Sequence, residues 1–166
     1  MNTSLALVPP VINVMVTGLL AGIILRQYLN RHRIYQLYWS IGLWMACLAT
    51  VAYICLLLVP STSTIGMMCF RLYYTLGATV MPSWLGLGSL ALVSNRRITR
   101  ISFTVLCIFS IIAAFLVFTA TINMEKLSHI AGTAGAGTLQ PGEWLNATIL
   151  LNSLGVTAVA GEYASS

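Results

Sequence analysis

The stretch IGMMCFRLYYTLGATVMPSWLGLGSLALVSNRRITR, residues 65–100, decides the fold. It contains 22 consecutive residues without a charged side chain, from Leu72 to Val93. A helix rising about 1.5 Å per residue needs about 20 residues to cross a hydrocarbon core of about 30 Å, so this run predicts a membrane span. Arg71 precedes the run, and three arginines follow it at positions 96, 97 and 100. Because Lys and Arg are retained on the cytoplasmic side, the three-arginine end is predicted to lie inside.

The composition of the whole chain also indicates a membrane protein. Its 166 residues are 58% hydrophobic and 7% charged, whereas soluble domains carry about 25% charged residues. Lipid must therefore solvate much of the surface. The net charge of +5 does not indicate nucleic-acid binding, because six of the eight basic residues lie in two short segments and form no basic face on a folded domain. These segments are typical of the positive-inside pattern, with contact to membrane lipid.

The apolar pattern predicts an all-α, polytopic transmembrane helix bundle in one domain, with its N-terminus outside and its C-terminus inside. Pro9 and Pro10 mark the entry to the first helix. Positive charge follows the first apolar segment, so this segment is predicted to be an uncleaved span and not a signal peptide. The loop of residues 121–143, with its glycine-rich run, is predicted to be external and flexible. The five predicted spans are residues 11–25, 39–59, 72–93, 101–120 and 144–160.

The end of the chain departs from this pattern. The fifth span is predicted to enter the cytoplasm, yet no Lys or Arg follows it. Such an end is typical of a truncated, longer protein. A complete five-span protein is the alternative, since C-terminal charges assist orientation without being required.

Two residues of the third span bear on function. Pro82 lies near mid-span and predicts a kink, with the freed carbonyls bonded by neighbours such as Thr79 or Ser83. Arg71 would lie inside the membrane if the helix starts before it, and an intramembrane charge is a functional-site hypothesis by default. Otherwise Arg71 is an interfacial residue beside Tyr73 and Tyr74. Its position at the outer helix end favours the interfacial interpretation.

Residues that carry catalytic chemistry are few and scattered. The two histidines, His32 and His129, are predicted on opposite sides of the membrane and cannot share a haem or a metal. The lone Lys126 lies in a loop and not in a span, where a retinal Schiff base would require it. The four cysteines form no C-x-x-C pair, although Cys55 and Cys69 lie near the same face and can bridge. The three carboxylates are dispersed, so we predict no enzyme, no cofactor and no metal.

Small and polar residues within the spans predict helix packing. Gly18 and Gly22, four residues apart, let two helices approach closely, either inside the bundle or in association with a second copy or another membrane protein. Polar side chains in the spans can hydrogen-bond between helices or line a solute path, and the sequence leaves both open. These side chains are Asn13, Thr79, Ser83, Asn146 and Asn152.

The motifs RLYY (71–74), GA (77–78) and WLGLG, which begins at Trp84, resemble those of a family of uncharacterised bacterial multi-pass membrane proteins. Members of that family look like seven-span proteins with an external N-terminus and this pattern in their third helix. The resemblance covers about the first five spans, and it implies that two further spans are missing from this chain. It implies no activity.

These features predict an integral protein of the bacterial cytoplasmic (inner) membrane with a non-enzymatic role. The leading hypothesis is a membrane-embedded sensor or interaction module that binds a lipid or a partner. The alternative is a small-solute transporter or channel, with a polar pathway around Pro82 and Asn13 at the midplane. A membrane enzyme is the third hypothesis and has the least support, because acids, histidines and thiols are scarce.

Overall fold

The computed structural model describes residues 3–61, 63–130 and 137–164, with side chains for residues 6–61, 63–130 and 137–156. Over these residues the fold is helical, and its one β contact is an isolated antiparallel bridge between Ile122 and Leu139. A π-helix, Tyr74–Val80, joins α3 directly to α4. The α-helices are α1 (Thr3–Arg31), α2 (Ile34–Leu58), α3 (Thr64–Tyr73), α4 (Met81–Val93), α5 (Arg96–Thr119), α6 (Met124–Ser128) and α7 (Glu143–Ala164).

Four helical segments are long and apolar enough to cross a membrane, which supports the prediction of a membrane protein and an all-α bundle. They are Ala6–Arg31, Ile34–Leu58, Thr64–Val93 and Arg96–Thr119. The fifth predicted span corresponds to α7, which has 22 residues and at about 1.5 Å per residue is also long enough to cross. The outward faces of the helices are apolar, as lipid requires.

Four spans begin earlier than predicted, the second and fourth by five residues and the first and third by eight. α1 starts at Thr3, so Pro9 and Pro10 lie inside the helix and not at its entry. Because proline has no N–H, each of the two removes one backbone hydrogen bond, to a carbonyl four residues earlier in the first turns of the helix. The third span starts at Thr64 instead of residue 72, because Ser63 caps α3 by accepting a hydrogen bond from the Gly66 N–H at 3.0 Å.

The bundle is organised around α4, which packs against α2 on one side and α7 on the other. α7 in turn packs against α5. α1 packs against α2 at the edge of the bundle, and only 11% of its apolar window is buried. Most of the α1 surface is therefore left for lipid.

Glycine lets α4 and α7 touch backbone to backbone. A Cβ atom built on Gly86 would lie 2.6 Å from the Cα of Gly155, and one built on Gly155 would lie 2.7 Å from the carbonyl oxygen of Pro82. Both separations are shorter than van der Waals contact, so only glycine fits at this crossing. Small residues that allow such close approach are the usual basis of helix association in membranes.

The π-helix accommodates Pro82. Proline has no N–H, so residue 82 cannot donate to the Ala78 carbonyl four residues earlier. The side chain of Asn152 on α7 donates to that carbonyl instead, at 3.1 Å from Nδ2. The predicted partners for the freed carbonyl, Thr79 and Ser83, were therefore wrong. The helix changes from π to α just before Pro82, the position where a kink was predicted.

Thr79 and Ser83 bond to α7 in other ways. The hydroxyls of Thr79 and Thr148 lie 3.2 Å apart, and the Ser83 hydroxyl donates to the Leu151 carbonyl at 2.8 Å. Thr79 is 0% exposed and Ser83 is 3% exposed. We call the π-helix and α4 together the π-α4 segment. With the Asn152 bond, these hydrogen bonds form a polar seam between this segment and α7, and the seam consists of residues 79, 83, 148 and 152.

The Asn152 bond makes a prediction for stability. Asn152→Leu, a near-isosteric change, leaves the Ala78 carbonyl without its donor and is expected to lower the free energy of unfolding by about 1 kcal/mol. In a Pro82→Ala background, residue 82 can itself donate to that carbonyl, so the same change should cost less than half as much. Detergent-denaturation equilibria of the four proteins measure both costs. Equal costs in the two backgrounds would show that Asn152 does not replace the bond lost at Pro82.

The segment after α5 folds over one end of the bundle. Leu127 is 0% exposed, Ile130 4% and Leu139 2%. The bridge Ile122–Leu139 and the 2.7 Å bond from the Asn123 N–H to the Thr138 carbonyl close this segment on itself. We call residues 121–130 and 137–142 the lid. The prediction of a flexible loop was wrong for these flanks, and residues 131–136 of the glycine-rich run lie outside the described residues.

Candidate functional site

A large cavity opens at the end of the bundle opposite the lid, which we call the basic end. Its volume is about 1340 Å³, and it lies between the first turns of α2 and α5 and the last turn of α4. Four exposed arginines line it, and none of its lining residues is acidic. The lining residues of this arginine cavity are Arg31, His32, Arg33, Ile34, Tyr35, Tyr38, Ala91, Leu92, Ser94, Arg96, Thr99, Arg100 and Phe103.

The turn between α1 and α2 places two of the arginines. It consists of His32 and Arg33 alone, since α1 ends at Arg31 and α2 begins at Ile34. His32 has φ +51°, the one positive φ among the non-glycine residues described, and its N–H donates to the Tyr28 carbonyl at 2.7 Å. A left-handed conformation costs a residue with a Cβ about 1–2 kcal/mol. This tight turn holds Arg31 and Arg33 on either side of a strained residue.

The turn between α4 and α5 places the other two arginines. Asn95 caps α5, because its Oδ1 accepts a hydrogen bond from the Ile98 N–H at 2.9 Å. The helix therefore begins at Arg96, and positions 96 and 100 lie on one helical face. Arg97 lies on another face and does not line the cavity.

Aromatic rings close the inner wall of the arginine cavity. Tyr38 of α2 stacks on Phe103 of α5 with ring centroids 5.7 Å apart, and Trp84 of α4 meets Phe103 edge-on at 5.9 Å. Tyr38 is 8% exposed. The cavity thus has a rigid apolar base and a mouth lined by guanidinium groups, an arrangement suited to an amphipathic anion.

The other predicted site residues do not meet at the arginine cavity. Arg71 lies at the lid end, where its Nη2 donates to the Ala120 carbonyl at 3.2 Å. Since Ala120 caps the end of α5, Arg71 lies level with that helix end, although α3 begins well before it. Tyr73 packs on Tyr53 at 5.1 Å, and Tyr74 meets Trp144 edge-on at 5.4 Å. These three residues support the lid.

The contact of Arg71 makes a second prediction. Arg71→Gln removes both the bond to Ala120 and a positive charge at the end of α5, which together contribute about 1 kcal/mol. We expect the lid amides to exchange hydrogen about fivefold faster, with the bundle interior unchanged. Hydrogen-exchange mass spectrometry of peptides from residues 121–142 measures this. Arg71→Lys, which keeps the charge, should exchange at an intermediate rate, and an unchanged rate in Arg71→Gln would exclude a role in holding the lid.

The remaining predicted positions are dispersed. Pro82 lies next to Ser83 of the polar seam, and Trp84 packs beneath the arginine cavity. Gly18 faces α2, and a Cβ atom built on it would lie 3.6 Å from the Cys47 Sγ, an ordinary van der Waals contact. A Cβ atom built on Gly22 would have nothing within 4 Å. The tightest contacts of the bundle are made by other glycines, on α2, α4 and α7.

Cys55 and Cys69, the two cysteines that the sequence places near the same face, lie near each other. The thiols of Cys55 on α2 and Cys69 on α3 interact, and both are free. The pair lies near the lid ends of these two helices without a covalent bond.

Sequence reasoning identified the basic residues but not the cavity. It used the arginines as markers of membrane orientation, because each basic segment by itself is a short turn. The available signal was their pairing. Two basic turns at the same end of a small bundle lie close to each other once the helices between them have packed. Residues 96 and 100, four apart, also lie on one face of their helix.

No protein-family model matches the chain, and no curated protein or solved structure matches it either.

Proposed function

We propose that this protein is a membrane-embedded sensor or interaction module whose binding surface is the arginine cavity. The difference between its two ends carries the proposal. The basic end has an open, acid-free cavity lined by four arginines, and the other end is covered by a lid built on the buried side chains of Leu127, Ile130 and Leu139. A cavity closed at its base and open at one end suits binding better than passage.

The polar seam inside the bundle supports the same function. Thr79, Ser83 and Asn152 are committed to hydrogen bonds between α7 and the π-α4 segment. Side chains paired in this way stabilise helix packing, although the Asn152 Oδ1 and the Thr75 hydroxyl are buried without a hydrogen-bond partner among the described residues. This favours a sensor or interaction module over the alternative of a transporter or channel. The scattered catalytic residue types support a non-enzymatic role.

The location we propose is the bacterial cytoplasmic membrane, with the N-terminus outside. Six arginines (Arg26, Arg31, Arg33, Arg96, Arg97, Arg100) lie at or near the basic end, whereas Arg71 and Lys126 lie at the lid end. This asymmetry favours a cytoplasmic basic end. The arginine cavity would then lie at the inner leaflet, where a cytoplasmic partner or an inner-leaflet lipid reaches it.

Distance measurements at both ends of the bundle test the proposed function. Spin labels are introduced through a non-canonical amino acid at exposed positions Asn30 and Arg97 for the basic end, and at Thr121 and Ile65 for the lid end. The full chain is reconstituted in neutral vesicles with and without a detergent extract of bacterial membranes. Binding at the basic end is expected to shift the first distance and leave the second unchanged.

Two results would contradict the proposal. An unchanged basic-end distance in the presence of the extract would exclude a responsive module. Alternation of the lid-end pair between two distances, together with uptake of radiolabelled solutes into the vesicles, would establish transport instead.

A further inference from the structure

We infer that the arginine cavity binds the phosphate headgroup of an anionic glycerophospholipid, with the glycerol and upper acyl chains against its apolar walls. This inference rests on the proposed function and names the ligand of the module. Five features support it: the charge of the cavity, the chemistry of arginine, the apolar walls, the size of the cavity and the tight turn that borders it.

The charge of the arginine cavity favours an anion. Arg31, Arg33, Arg96 and Arg100 line one concavity without any carboxylate among the lining residues. Like charges gathered in a cleft repel each other and concentrate the positive potential there. A bound phosphate removes this repulsion, and the planar guanidinium groups bind its oxygens in a bidentate manner.

The walls select a lipid over a free anion. Ile34 and Leu92 line the cavity and are 44% and 46% exposed, so its apolar wall continues onto the surface of the bundle. Tyr38 and Phe103 form the base. A soluble phosphate would gain nothing from these side chains, whereas a lipid with its headgroup among the arginines would cover them. Basic pockets at helix ends on the cytoplasmic side are typical sites for anionic headgroups.

The size of the cavity fits the same ligand. Its volume of about 1340 Å³ exceeds the range of roughly 300–1,000 Å³ that is usual for drug-sized ligands. A phosphate ion would leave most of the space to water. A headgroup with its glycerol and the first acyl methylenes makes fuller use of it.

The turn at His32 holds two of the arginines close together. His32 has φ +51° directly after α1, the left-handed conformation in which many helices end. Because the turn has only two residues, Arg31 at the end of α1 and Arg33 at the N-cap of α2 both stay at the edge of the cavity. One ligand can therefore meet both guanidinium groups.

Lipid titration with matched charge variants tests the inference. The full chain in neutral detergent is titrated with phosphatidylglycerol or phosphatidylcholine, and bound lipid is counted by native mass spectrometry. Arg33→Gln/Arg100→Gln removes two arginines of the cavity, and Arg26→Gln/Arg97→Gln removes two exposed arginines that do not line it. We expect phosphatidylglycerol to bind in preference, with a loss of roughly thirtyfold in the first variant, since each arginine contributes about fivefold. The second variant should lose less than threefold.

The remaining outcomes are equally specific. Equal losses in the two variants, or equal binding of the two lipids, would place any lipid elsewhere and overturn the inference. Glycerol 3-phosphate that binds as tightly as the lipid would make the ligand a soluble anion and overturn it too. Arg33→Lys/Arg100→Lys keeps the charge and should retain part of the affinity, which separates loss of charge from loss of fold. If the basic-end distance responds to the membrane extract but phosphatidylglycerol does not bind, this inference fails and the proposed function stands.

Discussion

Leu127→Ala is expected to open the lid and to speed its proteolysis about a hundredfold. Leu127 is 0% exposed and packs with residues of α3, α5 and α7. Truncation of a fully buried leucine typically costs about 2–5 kcal/mol. The loss should be local, because α6 has only five residues and belongs to the lid and not to the spans. The members of this cluster are Leu56, Phe70, Val117, Leu127, Ile130, Leu139 and Trp144.

The chain offers a clean readout of lid opening. Lys126 is its one lysine, so a lysine-specific protease added to detergent-solubilised protein cleaves only within α6. When opening is fast relative to cleavage, the rate reports the population of the open state, and about 3 kcal/mol corresponds to roughly a hundredfold. Met124→Ala is the matched control in the same helix, since Met124 is 42% exposed and should leave the rate nearly unchanged. Equal rates in Leu127→Ala and Met124→Ala would show that the lid does not depend on this buried contact.

Gly155→Ala is expected to destabilise the bundle by about 2 kcal/mol. Its new methyl group would lie 2.7 Å from the Pro82 carbonyl oxygen and 3.2 Å from the Cα of Ser83. Both are backbone atoms of the π-α4 segment, so the helices must separate and loosen the polar seam. Overpacking of this kind costs about 1–3 kcal/mol. The cost outweighs the gain of up to about 1 kcal/mol in helix propensity that alanine brings over glycine.

Gly22→Ala is the control with the same chemical change. Nothing lies within 4 Å of a Cβ at Gly22, so only the gain in helix propensity remains and the variant should be neutral or slightly more stable. Thermal unfolding in one detergent, followed by circular dichroism, compares the two variants. If both shift the midpoint by the same amount and in the same direction, the contact between α4 and α7 is not limiting.

The sequence was sufficient to predict the helical bundle and the approximate positions of its spans. Runs without charge, such as Leu72–Val93, report the requirement of lipid directly. Helix ends were less predictable, because a helix can extend beyond the hydrocarbon when a local cap is available. Ser63 provides such a cap for α3, and nothing in the pattern of apolar residues distinguishes Ser63 from the nearby Ser61.

The partners in most contacts between distant segments could not be predicted. Pro82 indicated a freed carbonyl, but Asn152, which donates to that carbonyl of Ala78, lies 74 residues later in the sequence. The same limit applies to the lid, where composition alone favoured a flexible linker. Buried positions 127, 130 and 139 are apolar, but they follow no regular period that would have indicated a packed surface. The arginine cavity depends on two turns that adjoin only after the helices have assembled.

The seven-residue π-helix also bears on how this sequence can change over generations. Its hydrogen bonds join residues i and i+5 instead of i and i+4, so the segment holds about one residue more than an α-helix of the same length. Loss of one residue between Tyr74 and Val80 would therefore let α3 continue into α4 as an ordinary α-helix. Arg71 lies before the segment, and Ser83 and Gly86 lie after it, so both ends would stay close to their present orientation. Elsewhere in the spans, loss of one residue would turn one half of a helix by about 100° against the other.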